Sequence, residues 1–401
     1  MLAAGTVGKI SNFHVMDVSN VPVTALTEAL SKHVDTTGWA PKLNWFAGGR
    51  VKLSEYVYTA RHRRIEFSLQ RGYQYNSVDK ACGLNRELCR RMANECHEAA
   101  TTALICTSPY WAVLADLWPG PVVYYSLDYT YAYDGFSPRR ILGLEKRLCR
   151  KAVRVFPVSR RIGAYLVDRA ECEASKITLL PNATLARNVQ LGGEGRCAKR
   201  PDELKNIDGP IAGVIGNMAD NIDWILLRDS VAMTPWLYWV FVGPTDTKLS
   251  DSQQSDARKA IMMNPKARFL GARSYDQLQE YARALDAAVM PYRRKEPTYS
   301  GSSTRFYEHL AAGRPMIATR NVEELQEKVP LVRLVNTAEE LVNELTQLRG
   351  RNFCDGWEER RIRASRYETW DVRAQVMLNS LTRDEQENRV RQTADMTGFV
   401  R

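Results

Sequence analysis

Residues 292–319 read YRRKEPTYSGSSTRFYEHLAAGRPMIAT, and this stretch decides how the chain is parsed. A strand ends at Tyr292, and a loop rich in Ser, Thr and Gly follows. A helix begins near Ser303 or Thr304, Gly313 closes it, and an apolar strand runs over 315–319. Strand, loop, helix and strand in that order make the repeating unit of a parallel α/β sheet. A loop and helix start of this composition present free N–H groups and hydroxyls to a phosphate. The candidate phosphate-binding residues are therefore Ser300, Gly301, Ser302, Ser303 and Thr304. Arg305, in the first turn, adds a charge-assisted contact. Glu308, one turn further on, has the wrong charge for phosphate but can accept hydrogen bonds from two ribose hydroxyls. The alternative for Arg305 and Glu308 is a surface ion pair one helical turn apart, a weak and common feature.

The same rhythm extends on both sides. PIAGVIGN (210–217) reads as strand and Gly turn, 222–234 as helix, LYWVFVGP (237–244) as strand and turn, and ARFLGAR (267–273) as a short strand. A helix over 275–285, strand DAAVMPY (286–292), a short strand VRLVN (332–336) and a helix over 338–348 complete this half. A charged helical stretch runs from 355 to 390. Gly216 and Asn217 stand in the first turn, where an amide side chain can reach phosphate or sugar. Arg273 follows the ARFLG strand and is a further nucleotide-side candidate, or else a solvated cation. Asp220 and Asp223 read as caps of the helix after them.

Upstream, MLAAG is read as a first short strand. Gly5 and Gly8 stand in a turn after it, where the backbone can approach a donor phosphate or sugar. His14 and Asp17 come next, on the acceptor side of such a site. Helices are expected over 23–32 and 84–100. PVVYYSLD (121–128) reads as a buried strand that ends on a carboxylate, Asp128. Asp128 either binds an acceptor hydroxyl or caps a nearby N–H. A helix over 139–154, strand VRVFPVS (153–159), a helix over 160–169 and strand ITLLPNA (177–183) follow. The polar, aperiodic stretch 186–209 is expected as a linker. The predicted organisation is a domain over 1–200, a second over 210–365, and a helical segment over 366–401 returning toward the first.

In the helix over 139–154, Ile141, Leu144, Leu148, Ala152 and Val155 share one face. Arg140, Arg147, Arg150, Lys151 and Arg154 cluster opposite. That basic face suits anionic lipid headgroups or a polyprenyl-diphosphate acceptor, unless it is simply solvated.

The bulk numbers agree with two α/β domains. The chain has 401 residues, 44% of them hydrophobic and 25% charged, with a net charge of +10. Such a charge favours anionic partners such as nucleotides, phosphates or acidic lipids. No window holds the roughly 18 uninterrupted apolar residues of a membrane span. The start, MLAAGTVGKISNFHV, lacks a signal-peptide pattern. Eight Cys are scattered with no CxxC pair. Cys82, Cys89 and Cys96 recur along one side of a helix, a packing pattern more than a metal site. A reduced, cytoplasmic protein is expected. No aromatic-interleaved basic motif points to nucleic acid.

The segment from Arg305 to Pro315, RFYEHLAAGRP, resembles the "(K/R)-x-x-E-Y-L-A-A-G-(K/R)-P" segment of GT-B glycosyltransferases. These are the retaining glycosyltransferase family 4 and relatives, which build bacterial surface polysaccharides. PVVYYSLD, Leu144-Glu145 followed by RVFPVS, LLPNA, GVIGN, FVGP, FLGARSYDQL and DAAVMPY fall in the family's order over residues 120 to 345. The resemblance implies two Rossmann-like domains with parallel sheets facing across a cleft. It implies a donor domain in which Glu308 binds ribose and the preceding loop binds diphosphate. It further implies transfer of a sugar from a UDP- or GDP-sugar to a hydroxyl of a glycan or lipid-linked saccharide, with retention and no tightly bound cofactor. One departure stands out. The family's paired-glutamate signature places a first Glu eight residues before the second, beside the transferred sugar, and here that position is Ser300. Some members resembling teichuronic-acid enzymes also lack it. Glu296 is near but at a different spacing. The expected catalytic set is Asp128, Arg305 and His14. No DxD-like element is evident, so no metal is expected, and helix dipoles with Arg305 would stabilise the leaving diphosphate. A location on the inner face of the membrane fits the basic helix. A sugar-nucleotide 2-epimerase of the same fold, or a non-catalytic nucleotide-sugar-binding subunit, are the alternatives.

Overall fold

The computed structural model describes residues 10–44, 53–70, 78–96, 98–133, 137–192 and 200–382. The chain divides into two compact units, one of residues 1–181 with 370–401 and one of residues 182–369.

The first unit holds β1 (Asn12–Met16), β2 (Asp35–Asn44), β3 (Leu53–Thr59), β4 (His62–Gln70), β5 (Thr102–Cys106), β6 (Val122–Ser126) and β7 (Arg154–Pro157). Their order in the sheet is β3-β4-β2-β1-β5-β6-β7. All pairs are parallel except the hairpin β3–β4. Its helices are α1 (Val21–Ser31), α2 (Val78–Asn94), α3 (Ala112–Leu117), α4 (Pro138–Lys151) and α5 (Arg160–Asp168). β5 and β6 are buried along their whole length, which is why they read as continuous apolar runs rather than alternating ones. α4 shows how local chemistry sets a helix. Ser137 caps it through Oγ, which accepts from the Arg140 N–H, and Pro138 starts it. Ile141, Leu144 and Leu148 are buried on one face, and Arg150 and Lys151 close its last turn, where the helix dipole favours cations. A helix over residues 370–382 packs in this unit through buried Trp370, Ala374, Met377 and Leu381.

The second unit holds α6 (Ala186–Gly192), β8 (Ile211–Ile215), α7 (Trp224–Met233), β9 (Tyr238–Val242), α8 (Ser252–Met262), β10 (Ala267–Gly271), α9 (Leu278–Ala284), β11 (Ala287–Met290), α10 (Thr304–Ala312), β12 (Met316–Thr319), α11 (Glu323–Gln326), β13 (Arg333–Val335), α12 (Ala338–Gly350) and α13 (Glu358–Ser365). Its sheet is parallel throughout, with order β10-β9-β8-β11-β12-β13. The chain thus winds outward from β8 to β10, then restarts on the other side of β8 at β11. That reversal opens a crevice at the carboxyl ends of β8 and β11, the place where open α/β sheets bind ligands. One apolar layer, built on Ile211, Val240, Tyr292, Phe306 and Leu310, covers one face of the sheet. Another, built on Trp224, Leu227, Trp239, Phe241 and Leu345, covers the other.

Several sequence expectations are corrected here. The first described strand is 12–16, and the expected strand at residues 1–5 lies outside the described residues, as do Gly5 and Gly8. ITLLPNA forms no strand. It keeps an isolated bridge from Ile177 to Val155, with the Thr178 and Leu180 N–H groups donating to the Val155 and Pro157 carbonyls, and then reaches Pro181, which has no N–H to continue a ladder. The stretch 186–209 opens with α6, which the polar composition hid. The helix expected over 139–154 stops at Lys151, so Arg154 lies in β7 and donates to the carbonyl oxygens of Ser175 and Ser380. Within the described part of the charged stretch 355–390, helix is interrupted at 366–369, and residues 383–390 lie outside the described residues.

Candidate functional site

Gly216 and Gly243 end β8 and β9 side by side. A Cβ on Gly243 would stand 1.9 Å from the Gly216 carbonyl oxygen, at φ +153°. Gly216 itself has φ +114°, and a Cβ there would stand 2.8 Å from Nε of Arg305. Both positions thus require glycine, for close approach and for the left-handed backbone. Sequence reasoning named Gly216 and passed over Gly243, although FVGP repeats the strand-then-Gly pattern of VIGN.

Arg305 bridges the crevice. Its Nε donates to the Ile215 carbonyl (2.6 Å) and Nη2 to the Asn217 carbonyl (2.6 Å). Its guanidinium also lies 5.3 Å from the Tyr292 ring centroid. Two of its three nitrogens are therefore spent on holding the β8 turn, and Nη1 makes no hydrogen bond to the described residues. Asn217 is exposed beside it.

The loop 300–303 is tied down more than its composition suggested. Ser303 caps α10, and its Oγ accepts from the Phe306 N–H (3.2 Å) and pairs with the Tyr292 hydroxyl (2.7 Å). The half-buried Glu324 accepts through its carboxylate from the Ser302 hydroxyl (3.1 Å), the Ser303 N–H (2.8 Å) and the Tyr307 hydroxyl (2.5 Å). Burial pushes the Glu324 carboxyl above its ordinary range, against these donors. The expectation that Ser302 and Ser303 present their hydroxyls to phosphate is corrected, since both already serve protein groups. What remains at this helix end is the pair of N–H groups of Thr304 and Arg305, which make no hydrogen bond to the described residues. Gly301 packs in ordinary contact with the Pro297 and Thr298 carbonyls, both 3.5 Å from a built Cβ. Ser300 is buried, and its N–H (3.1 Å) and hydroxyl (2.7 Å) both donate to the Glu296 carboxylate. Glu296, set aside on spacing, therefore reaches position 300 in space.

Glu308 faces α6. Its Oε2 accepts from Asn188 Nδ2 (2.7 Å) and Thr184 Oγ1 (3.3 Å), and its Oε1 accepts from the Tyr275 hydroxyl. Burial lifts its carboxyl to about 7, against the pull of these donors and of Arg187. The surface ion pair with Arg305 is thus not formed. Arg273 is also committed. Nε donates to the Tyr281 hydroxyl (2.9 Å), Nη1 to the Leu270 and Ala272 carbonyls, and Nη2 to Glu203 (2.8 Å). The structure gives Arg273 a bracing role in place of the expected nucleotide contact.

In the first unit, His14 is corrected from catalyst to core residue. It is 1% exposed. Its Nε2 lies 3.1 Å from the Met92 carbonyl, and Nδ1 accepts from the Trp39 indole (2.9 Å). Both nitrogens are used, and burial lowers the imidazole to about 4, so it is neutral at physiological pH. Asp17 holds the more telling place. At the carboxyl end of β1, with φ 60°, its Oδ2 accepts from Thr107 Oγ1 (2.7 Å) and Trp111 Nε1 (2.7 Å). Asp128 follows β6 and takes a hydrogen bond from the Tyr133 hydroxyl (2.6 Å), while burial raises its carboxyl. Tyr129, Tyr131 and Tyr165 cluster next to it with ring centroids 4.8–5.9 Å apart. On α4, Arg147, Arg150 and Lys151 line a surface cavity of about 380 Å³ with Asp116, which pairs with Arg147.

Residues 209–350 match the family model for glycosyl transferases group 1. That segment is a group 1 glycosyltransferase domain. One curated relative is TuaH of Bacillus subtilis (strain 168), a protein named as a teichuronic acid biosynthesis glycosyltransferase. It is 20% identical over 205 residues, which cover 51% of this chain and 49% of that one. The chain thus spans about half the length of the curated relative it matches. Among solved structures, a glycosyltransferase from Rickettsia africae ESF-5 superposes with TM-score 0.68 at 12% identity, covering 94% of this chain and 99% of that one. Anabaena HepE, in complex with UDP and glucose, superposes with TM-score 0.66 at 13% identity, covering 93% and 99%. A chain described as trehalose-6-phosphate from E. coli, bound with UDP-2-fluoro glucose, gives 0.69 at 10% identity, covering 94% and 99%. The group 1 domain sits in a chain of GT-B fold, with a mostly parallel α/β sheet in its first unit and a parallel one in its second. Among the described residues, no group of three or more His, Cys, Asp or Glu side chains is placed to hold a metal ion, and no helix is long and apolar enough to cross a membrane.

Proposed function

We propose that the chain transfers a sugar from a nucleoside-diphosphate sugar, a UDP-sugar first among the candidates, to a hydroxyl acceptor in surface-polysaccharide assembly. The observation that carries this reading is the crevice of the second unit. A glycine pair, the exposed Asn217, one unspent nitrogen of Arg305 and two unspent N–H groups of a nine-residue helix meet there. Backbone N–H groups and a guanidinium at a helix start complement a diphosphate, and they stabilise the charge that grows on it as the sugar leaves. Leaving-group stabilisation of this kind uses the protein's own dipoles, and we assign it no metal.

Within this reading, the Glu296 carboxylate stands beside the transferred sugar in place of the glutamate missing at position 300. Ser300 holds it there. Transfer with retention completes this reading, with the diphosphate leaving from the face on which the acceptor hydroxyl enters. Asp128 and the tyrosines beside it belong to the acceptor side, where aromatic faces and a carboxylate suit a saccharide. The cationic face of α4 would hold an anionic headgroup, which makes a lipid-linked acceptor on the inner membrane face the natural substrate.

The test is thermal-shift screening of UDP-, GDP-, ADP- and dTDP-sugars and their free diphosphates against the wild-type chain and Glu308→Ala. Binding stabilises the folded state by mass action. A shift selective for one base and lost in the variant supports the donor site. The absence of any shift in a well-folded sample rejects glycosyl transfer.

A further inference from the structure

The loop between β11 and α10 opens with four charged side chains in succession, Arg293, Arg294, Lys295 and Glu296. It leaves the carboxyl end of β11 and so borders the crevice of the second unit. Its backbone is pinned at several points. The Arg293 N–H donates to the Asn221 carbonyl, in the segment between β8 and α7 (2.9 Å), next to a bridge between Ile222 and Tyr292. The Lys295 N–H donates to the Arg293 carbonyl (2.9 Å), and the Tyr299 N–H to the Lys295 carbonyl (3.0 Å). A hydrogen bond from residue i+2 back to residue i makes a γ-turn, and Arg294 is the middle residue of this one.

Two of the charges beside Arg294 are committed. Arg293 Nη2 pairs with Asp251 (3.0 Å). The Glu296 carboxylate takes the Ser300 hydroxyl on Oε1 and the Ser300 N–H on Oε2. Arg294 is exposed, and its guanidinium forms no hydrogen bond and no ion pair with the described residues. It lies over the Tyr299 ring, 5.2 Å from the centroid. Such a contact orders the side chain and leaves its N–H donors for a ligand. Tyr299 is the chain neighbour of Ser300. The serine that stands where the family signature has a glutamate thus brings no carboxylate to this cation, and it turns the one on Glu296 to itself.

A guanidinium with unspent donors suits a planar anion, which it binds through two parallel hydrogen bonds. The diphosphate already has the α10 N–H groups and Arg305. A neutral hexose brings hydroxyls alone, which suit the Glu296 carboxylate and give Arg294 no charge to meet. A hexuronic acid brings ring hydroxyls and a carboxylate at C6. We infer that Arg294 is a specificity-determining residue and that the donor is a nucleoside-diphosphate hexuronic acid, whose C6 carboxylate takes two N–H groups of Arg294. The inference rests on the reading of the crevice as a nucleotide-sugar site and names the sugar class for it. The substrate supplies the carboxylate that the protein lacks at position 300.

The experiment is titration calorimetry of the full chain, wild type and Arg294→Gln, with UDP, UDP-glucose, UDP-galactose, UDP-glucuronate and UDP-galacturonate. A charge-assisted pair should make one uronate bind wild type at least about tenfold more tightly than the neutral sugar of the same configuration. Arg294→Gln should erase that difference and leave UDP and the neutral sugars unchanged. Added salt should narrow the difference in wild type. Arg294 is exposed, so the variant should unfold at the wild-type temperature. If UDP binds wild type and both uronates bind no more tightly than their neutral counterparts, the inference is wrong and the donor site stands. A uronate preference that survives in Arg294→Gln overturns the role of Arg294. Equal weakening of UDP and the uronates in the variant assigns the arginine to the diphosphate and overturns it as well. If UDP binds neither form, the donor-site reading fails and takes the inference with it.

Discussion

The carboxylate of Glu296 accepts two hydrogen bonds from Ser300, one from its backbone N–H and one from its hydroxyl. Four residues of separation along the chain thus close to contact in the loop before α10. A carboxylate held by two donors is fixed in direction as well as place, which is what a group positioned against a sugar requires. Glu296→Gln should lower kcat at least about tenfold with donor KM little changed, the pattern for a group that acts in the transition state. Ser300→Ala should show a smaller loss in the same parameter. The double variant Glu296→Ala with Ser300→Glu restores a carboxylate at the place the family signature expects. It should recover activity over Glu296→Ala alone. Failure to recover would separate the Glu296 contact from catalysis.

The glycine pair makes a stability prediction with an internal control. Gly243→Ala forces a Cβ against the Gly216 carbonyl at a backbone angle that alanine avoids, and should cost about 3 kcal/mol or more. Gly143 lies exposed inside α4 with nothing near a built Cβ. Gly143→Ala should stabilise by about 0.5–1 kcal/mol through helix propensity. Thermal unfolding of both variants reads the opposite signs. Loss of nucleotide binding should accompany only the first.

Acid behaviour divides the buried groups by sign. Glu308 rises from 4.5 to about 7 on folding, so the folded chain prefers its protonated form. Stability from this group is complete below pH 4.5 and is lost as pH rises through about 7, a difference of at most about 3 kcal/mol. Glu145, buried against the Tyr124 and Tyr165 hydroxyls, rises to about 7 and acts the same way. His14 falls from 6.5 to about 4. Its stability is present above pH 6.5 and is lost as pH falls through about 4. Urea unfolding from pH 4 to 8 should show a decline toward neutral pH that Glu308→Gln makes shallower. A ribose hydroxyl donates to the charged carboxylate, so UDP affinity should rise between pH 6 and 8 in wild type and stay flat in Glu308→Gln.

The basic face of α4 predicts a salt-sensitive surface interaction. Sedimentation with vesicles containing phosphatidylserine or phosphatidylglycerol should exceed that with neutral vesicles and should fall as salt approaches 0.5 M, where charges are screened within a few ångström. Arg150→Glu with Lys151→Glu should abolish the difference while leaving UDP binding intact. Equal binding to neutral vesicles would assign α4 to solvent.

Much of this protein was legible in its sequence. The alternation of apolar runs with helical periods located the strands of the second unit, because the inner strands β8, β9, β11 and β12 are buried almost throughout and need continuous apolar segments, while the half-exposed edge strands β10 and β13 follow the same strand-and-helix rhythm. The Ser303 cap and the Gly313 stop of α10 were legible because both are set within one helical turn. Gly216 was legible for the same reason, as a residue placed by the end of its own strand. Only the tertiary structure decided what these groups touch. Glu308 meets Thr184 and Asn188 from 124 and 120 residues away, and Asn188 comes out of a segment whose polar composition read as linker. Glu324 takes the Ser302 hydroxyl and Ser303 N–H from the next helix, and Arg305 spends its charge on two carbonyls across the sheet. His14 looked available in sequence and is sealed by Trp39 and Met92. Periodicity reports burial of a segment against its surroundings, a property local residues determine. Hydrogen-bond partners of a buried polar group depend on which distant segment packs over it, and one-dimensional order carries no record of that.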